Sequence, residues 1–227
     1  MHFLRRWLNR GPDKGPDKGI DRASPPPLTA ELERRIRTSF EQAAGDEEHF
    51  PSTIDPRIQH VRLIAEYLAP LDGKRVLDLG AAKGRFAKVL LDETPGVRIA
   101  AVDLAVSMLR YVPGGIAPCA ATMNALPFAD GVFDGAYATE SLEHAVDIER
   151  AVAELCRVVK PGGRIVVIDK NAEHWGKLET PDWERWFTRR EMEGLLGRHC
   201  RKVRSQPISY WADVAPDGLF LAWLAER

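Results

Sequence analysis

The chain has 227 residues, with 32 Lys and Arg against 33 Asp and Glu, a formal net charge of −1. That balance excludes a whole-chain basic field of the kind that draws proteins to nucleic acid or anionic membranes. The length suits one α/β domain with an appendage, and no run of about eighteen apolar residues is present to span a bilayer.

Residues 1–10, MHFLRRWLNR, are basic and amphipathic. They lack the roughly 7–15-residue apolar core of a secretory signal; as a short helix they could rest on an anionic membrane surface, but only weakly at about ten residues. Residues 11–18 repeat Gly-Pro-Asp-Lys, and Pro25, Pro26 and Pro27 follow. Proline and glycine at that density cannot form a packed core, so residues 1–28 read as a disordered tail. Thr29 is the expected N-cap of a helix over 28–44, with Leu32, Ile36 and Phe40 at helical spacing. Asp55 is expected to cap a second helix, with Pro56 in its first turn and Ile58, Val61, Ile64, Ala65 and Leu68 on one face.

From residue 71 the pattern alternates. Strand 75–79 precedes helix 85–91, and strand 97–102 precedes helix 106–111. A short strand over 116–120 leads to a loop, and strand 132–137 to a helix over 148–159. Lys160-Pro161-Gly162-Gly163 predicts a sharp turn before strand 164–169. Near-continuous apolar strands between helices indicate an α/β fold, with a doubly wound, mostly parallel sheet over 71–227. Thr188 should cap a helix to 198. Strands 201–208 and 218–225 have no helix between them and must pair as an antiparallel hairpin. Cys119, Cys156 and Cys200 are far apart and form no Cys-x-x-Cys pair, which reads as reduced thiols in a cytoplasmic protein.

Residues 76–87, VLDLGAAKGRFA, are the most informative segment. An apolar run ends in Asp78, small residues follow, and helix formers come next. A loop of small residues lets the backbone approach a ligand closely, and the helix start offers it unpaired N–H groups. About twenty residues on, the next strand also ends in an acid, Asp103, the distance at which α/β nucleotide sites grip ribose hydroxyls. The dinucleotide fingerprint Gly-x-Gly-x-x-Gly does not fit, because Ala82 and Arg85 stand where glycines are needed.

With these segments the chain resembles the class I S-adenosylmethionine (SAM)-dependent methyltransferases of small-molecule type, over about residues 55–225. The family's first motif, acid-x-Gly-x-Gly-x-Gly, is matched by Asp78, Gly80 and Gly84, with Ala82 in place of the middle glycine. The resemblance implies a seven-stranded Rossmann-like sheet, SAM as cofactor, and methyl transfer to an oxygen, nitrogen or carbon of a small-molecule acceptor. It implies that Asp78, Gly80, Ala81 and Gly84 hold the amino-acid end of SAM, that Asp103 holds the ribose, and that Leu104 lies against the adenine. Residues 122–128, TMNALPF, resemble the family's acid-Ala-x-x-Leu-Pro-Phe loop. Thr122 stands there for the acid that bonds the adenine amino group, and Met123 would give backbone contact to the ring; Leu126 and Phe128 read as core. Thr139 is expected beneath the methionine part. N-terminal helices of such enzymes often cover the substrate pocket, so residues 29–70 are a candidate lid, with simple cover of a sheet edge as the alternative.

Glu140-x-x-Glu143-His144 follows the fourth strand, at the sheet end where open α/β folds bind ligands. Three readings stand. One side chain, His144 first, is a general base. Alternatively Glu140, Glu143 and His144 hold Mg²⁺, Mn²⁺ or Zn²⁺. In the third, His144 only caps a helix or covers the cofactor. The run resembles that of ubiquinone-pathway O-methyltransferases and of small-RNA 2′-O-methyltransferases, where it holds a metal. The latter add a distal histidine, for which His174 and His199 are candidates. Trp175, Trp183, Trp186, Tyr210 and Trp211 form an aromatic-rich region suited to an acceptor pocket or to core. Lys170 reads as solvated, Asp134 as structural, and Arg198, Arg201, Lys202 and Arg204 as part of a mixed-charge face. Two other functions are open. An RNA 2′-O-methyltransferase is suggested by Asp-Leu-Gly-Ala-Ala, but Thr139 and Glu140 stand where its aspartate belongs. A non-catalytic SAM-binding protein is suggested by Ala82 and Thr122.

Overall fold

The computed structural model describes residues 30–227. The expected tail, its membrane contact and the Thr29 cap lie outside the described residues. Helices α1 (Ala30–Ala43) and α2 (Gln59–Leu68) precede the strands β1 (Arg75–Leu79), β2 (Arg98–Asp103), β3 (Ala117–Ala120), β4 (Phe133–Thr139), β5 (Val159–Lys170), β6 (Lys202–Ile208) and β7 (Phe220–Glu226). Among the strands run α3 (Arg85–Glu93), α4 (Val106–Leu109), α5 (Ile148–Val158) and α6 (Arg189–Gly197).

The seven-stranded sheet has the order β3-β2-β1-β4-β5-β7-β6. Pairs from β3 through β5 are parallel, and β7 runs antiparallel to both β5 and β6. This is the doubly wound sheet with a closing hairpin that the alternation predicts. The period of two sorts the strand side chains into layers. Val76, Val166 and Ile168 pack with Val61, Ile64 and Leu68 of α2 and with Phe86 and Leu90 of α3. Leu77, Leu79, Ile165 and Val167 face the other way, onto Val152 and Leu155 of α5 and Met192 and Leu196 of α6. Both faces are covered, as a parallel sheet requires.

Two local expectations give way. Helix α2 begins at Gln59, with Ile58 as an N-cap that makes no side-chain bond. Asp55 is drawn to Arg57 instead, accepting its backbone N–H at 2.9 Å and its guanidinium at 2.7 and 3.0 Å. The turn at 160–163 is absorbed into β5 as a bulge. Phe133 pairs with Val159 and Gly135 with Arg164, so the register shifts between them. A Cβ on Gly163 would lie 2.7 Å from the Asp134 carbonyl oxygen, so only glycine lets the bulge close on β4. Asp134 is structural, accepting the Arg75 N–H at 2.9 Å and the Lys160 ammonium at 2.7 Å. Thr188 caps α6 in a capping box with Glu191. Arg198 pairs with Glu149, and Arg201 and Lys202 with Glu226, which makes that face mixed in charge.

Candidate active site

β1, β2 and β4 end side by side where the strand order reverses, and a cavity of about 470 Å³ opens there. Open α/β sheets place ligands at this switch point. Glu33, Ile36 and Phe40 of α1, with Phe50 from the segment after it, form one wall. No residue of α2 lines the cavity; that helix packs beneath the sheet. Of the described residues 30–70, α1 and the segment to Pro51 therefore lie over the cleft, and α2 does not.

The nucleoside end is shaped by backbone. Gly80 has φ +76°, and a Cβ there would lie 2.2 Å from the Ser141 Cβ. The Gly80 and Ala81 N–H groups donate to the Val102 carbonyl at 2.8 and 2.9 Å, tying the loop to β2. Ala82 also has positive φ, +46°, a conformation that costs a non-glycine residue about 1–2 kcal/mol. Its N–H donates to Asp103 Oδ2 at 2.8 Å, a charge-assisted bond able to hold the loop there. Asp103 Oδ1 accepts the Ala105 N–H at 2.8 Å. Asp103 thus braces the loops on both sides of the cleft, and each of its oxygens keeps a further lone pair.

Asp78, Gly80, Ala81, Asp103, Leu104, Thr122, Met123 and Thr139 all line the cavity. Gly84 does not; it sits behind the loop with φ +74°, as the N-cap of α3. Asp78 is 3% exposed and its Oδ2 has no hydrogen-bond partner. Burial pushes its pKa up to about 7, in spite of the Tyr137 hydroxyl beside it, which favours the charged form but is itself buried without a well-formed hydrogen bond. The Thr139 hydroxyl is likewise buried and unpartnered. These orphaned acceptors fit the ammonium of SAM, and the backbone-lined loop fits close approach by the rest of the molecule. Thr122 donates its hydroxyl hydrogen to Glu33 Oε2 at 3.1 Å and accepts the Asn124 N–H at 3.3 Å.

The floor is made of charge. Glu140, Glu143 and His144 all line the cavity, but they do not form the expected metal trio. Glu140, at φ +51°, accepts the Tyr210 hydroxyl at 2.5 Å. Burial would raise its pKa, but Arg85, His60 and Lys170 outweigh that and hold it below the usual carboxylate range. Among the described residues, the group spaced to grip an ion is Glu143, His144 and Glu184, without His174 or His199. Lys170 already fills that position. Its ammonium bonds Glu143 and lies 3.0 Å from Glu184 Oε1. Lys170 was expected in solvent and is 6% exposed. Burial would lower its pKa, but Glu143, Glu184 and Glu140 more than offset this and raise it. A divalent ion would face that fixed positive charge, so these residues do not fit one.

Burial and the nearby Asp169 push Glu143 well above the usual carboxylate range. Burial and Lys170 press His144 down to about 3, so its imidazole is neutral, and its Nδ1 has no partner. Of the aromatic-rich region only Trp183 lines the cavity. Trp186 is buried and donates to Glu184 Oε1 at 2.7 Å, and Tyr210 stacks on His60 with ring centroids 4.3 Å apart. Among the cavity residues that carry no functional reading in the sequence are four charged ones that bear on the site, Glu33, Lys83, Lys170 and Glu184.

Residues 77–167 match a protein family described as a methyltransferase domain. The chain is 34% identical over 122 residues to O-methyltransferase cnsE of Penicillium expansum, covering 50% of this chain and 44% of that protein. It is 36% identical over 113 residues to the ubiquinone/menaquinone biosynthesis C-methyltransferase UbiE of Paracoccus denitrificans, covering 46% of this chain and 45% of that protein. These alignments span about half the length of the curated relatives. The [4+2]-cyclase SpnF superposes with a TM-score of 0.72 at 16% identity, over 86% of this chain and 96% of that one. At that identity the likeness is one of fold. No described helix is long and apolar enough to cross a membrane. Residues 77–167 thus carry a methyltransferase domain, and by its relatives and its sheet the chain is similar to the class I SAM-dependent methyltransferases.

Proposed function

We propose that the protein transfers a methyl group from SAM to an oxygen, nitrogen or carbon of a small-molecule acceptor. The observation that carries this reading is the cradle itself. Two strand-end acids, Asp78 and Asp103, face one cavity across a left-handed loop. Bound SAM supplies a methyl group activated on a sulfonium, open to in-line displacement. Asp78 receives the cofactor's ammonium, and the spare lone pairs of Asp103 receive the ribose hydroxyls. Leu104 and Met123 flank the base. Helix α1, with Phe40, is the lid that keeps water from the acceptor.

On the floor, the unpartnered Nδ1 of His144 accepts the hydrogen bond of the acceptor's O–H or N–H. Glu143 Oε1 lies 3.6 Å from His144 Nε2 and can steady a transient imidazolium. Glu140 is held too tightly by Tyr210 to exchange protons readily. Lys170 provides the fixed positive charge that a divalent ion would otherwise bring. A cytoplasmic setting is part of the proposal, supported by three unbridged cysteines.

The test is methyl-labelled SAM offered with pools of phenols, quinols, amines and carboxylic acids. Label should enter one pool, and S-adenosylhomocysteine should bind in calorimetry with a loss of about tenfold or more in Asp103→Ala. A folded wild-type protein that binds no S-adenosylhomocysteine ends the proposal.

A further inference from the structure

We infer that Glu33, carried on α1, accepts a hydrogen bond from the exocyclic amino group of the cofactor's purine and so fastens the lid over the bound nucleoside. This rests on the reading of the cleft as a SAM site.

The argument starts from the polar groups at the end of the cavity bounded by Leu104 and residues 121–124. The Thr122 hydroxyl spends its only hydrogen on Glu33 Oε2. Asn124 Oδ1 is buried without a partner. Glu33 lines the cavity, and among the described residues its carboxylate is bonded by Thr122. Glu33 and Asn124 Oδ1 therefore leave acceptors open on this wall, and Glu33 offers acceptors alone. The carboxylate is acceptor-only whichever way the Asn124 amide is turned. An amino-purine supplies the missing N–H groups. A 6-oxo purine brings another acceptor and is rejected, because a buried polar group is then left unpaired.

The carboxylate belongs to the lid and not to the sheet, which gives the contact a second consequence. The C-terminal half of α1 is held by Glu41, which accepts the N–H groups of Val106 and Ser107 at 2.7 and 2.9 Å. The segment after α1 is held by Glu47, 2.6 Å from the Lys83 ammonium. Glu33 lies about two helical turns before Glu41, where Thr122 and the exposed Arg35, with Asp182 and the Trp183 ring, tie the helix to the fold. A bond from Glu33 to the purine adds a tie there that exists only when the nucleoside is bound. Lid closure is then coupled to cofactor binding.

The experiment measures binding of S-adenosylhomocysteine and of its 6-oxo analogue, S-inosylhomocysteine, by calorimetry to the full chain, to Glu33→Gln and to Glu33→Ala. Wild type should prefer the adenosyl ligand by about tenfold or more. Glu33→Gln, whose amide can donate to the 6-oxo oxygen, should cut that preference to about threefold or less. Hydrogen exchange in α1 should slow on adenosyl binding to wild type and less so in Glu33→Gln. If Glu33 merely docks the helix, both ligands weaken equally and the ratio stays at its wild-type value; that result overturns the inference. Binding of neither ligand to folded wild type overturns the SAM reading beneath it instead.

Discussion

The two ends of the cleft are built by different means. At the nucleoside end, consecutive residues after β1 fold into a loop whose shape is set by backbone dihedrals, N–H groups and Asp103. At the floor, Glu143 after β4, Lys170 at the end of β5 and Glu184 in the loop before α6 meet through charged, hydrogen-bonded side chains. The first should be intolerant of added volume. The second should be intolerant of lost charge, because an ion pair that loses one member leaves a buried charge unpaired.

The largest effect is expected at the floor. Lys170→Met keeps the apolar stem but removes the ammonium between two carboxylates that are almost fully buried. It should cost about 3–5 kcal/mol in urea denaturation near neutral pH. Adding Glu184→Gln should return part of that loss, since one uncompensated charge is then gone. A single-variant cost under about 1 kcal/mol would mean that the pair is not what holds the floor together.

Next comes volume at the nucleoside end. Gly80→Ala sets a methyl group 2.2 Å from the Ser141 Cβ on a residue with φ +76°. Overpacking and strain together should cost about 2–4 kcal/mol and weaken S-adenosylhomocysteine binding measurably. Ser141→Gly in the same chain removes the clashing atom and should recover the overpacking share, leaving the backbone strain. Full recovery would assign the whole cost to crowding, and no recovery would assign it to the dihedral.

The same contrast explains what the sequence could and could not reveal. Asp78, Gly80 and Asp103 were legible because strand, loop and helix are contiguous. Parallel register then fixes the rest: Leu79 pairs with Val102, which brings Asp103 to the mouth of the loop. From the sequence Lys170 reads as solvated, because a lone lysine at a strand end usually is. Its true partners are 27 and 14 residues away, and Glu184 lies in a segment without periodicity. A usable signal was present in Asp169-Lys170, charged residues closing a strand directed at the cleft. Glu33 was hidden for a related reason. The stripe of Leu32, Ile36 and Phe40 predicts a helix, but which residues beside the stripe face the cavity depends on how α1 docks. Asp55 misled because Arg57, two residues on, captured the carboxylate that would have capped α2.

A smaller effect sharpens the contrast through pH. Free Asp78 has its pKa raised by burial to about 7, so below that pH it offers no charge to an ammonium. Cofactor binding favours the ionised form and releases a proton. Affinity for S-adenosylhomocysteine should therefore fall as pH drops from about 8 to 6, approaching tenfold per unit below 7. Asp78→Asn should flatten that slope. The unliganded protein should show the opposite trend. Between the ordinary carboxylate value and about 7 the native state holds the proton and the unfolded chain does not. The contribution of Asp78 to stability is thus greatest near pH 4 and is lost as pH rises through about 7. A binding profile independent of pH between 6 and 8 would place the ammonium elsewhere.

The smallest expected effect is none at all. Because the Lys170 ammonium occupies the position between Glu143 and Glu184, chelation by EDTA should leave methyl transfer and thermal stability of the wild type unchanged. Added Mg²⁺, Mn²⁺ or Zn²⁺ should likewise leave the melting temperature where it was, since a ligand stabilises only a fold that binds it. Lys170→Met turns this into a positive measurement. With the ammonium gone, Glu143, His144 and Glu184 keep donor atoms within 4.8 Å of one another, a spacing and donor set suited to Zn²⁺. Zinc should then raise the melting temperature of the variant while leaving the wild type unmoved. Stoichiometric stabilisation of the wild type by any of these ions would show that the lysine side chain yields its place to a metal, and the floor would then be a metal site after all.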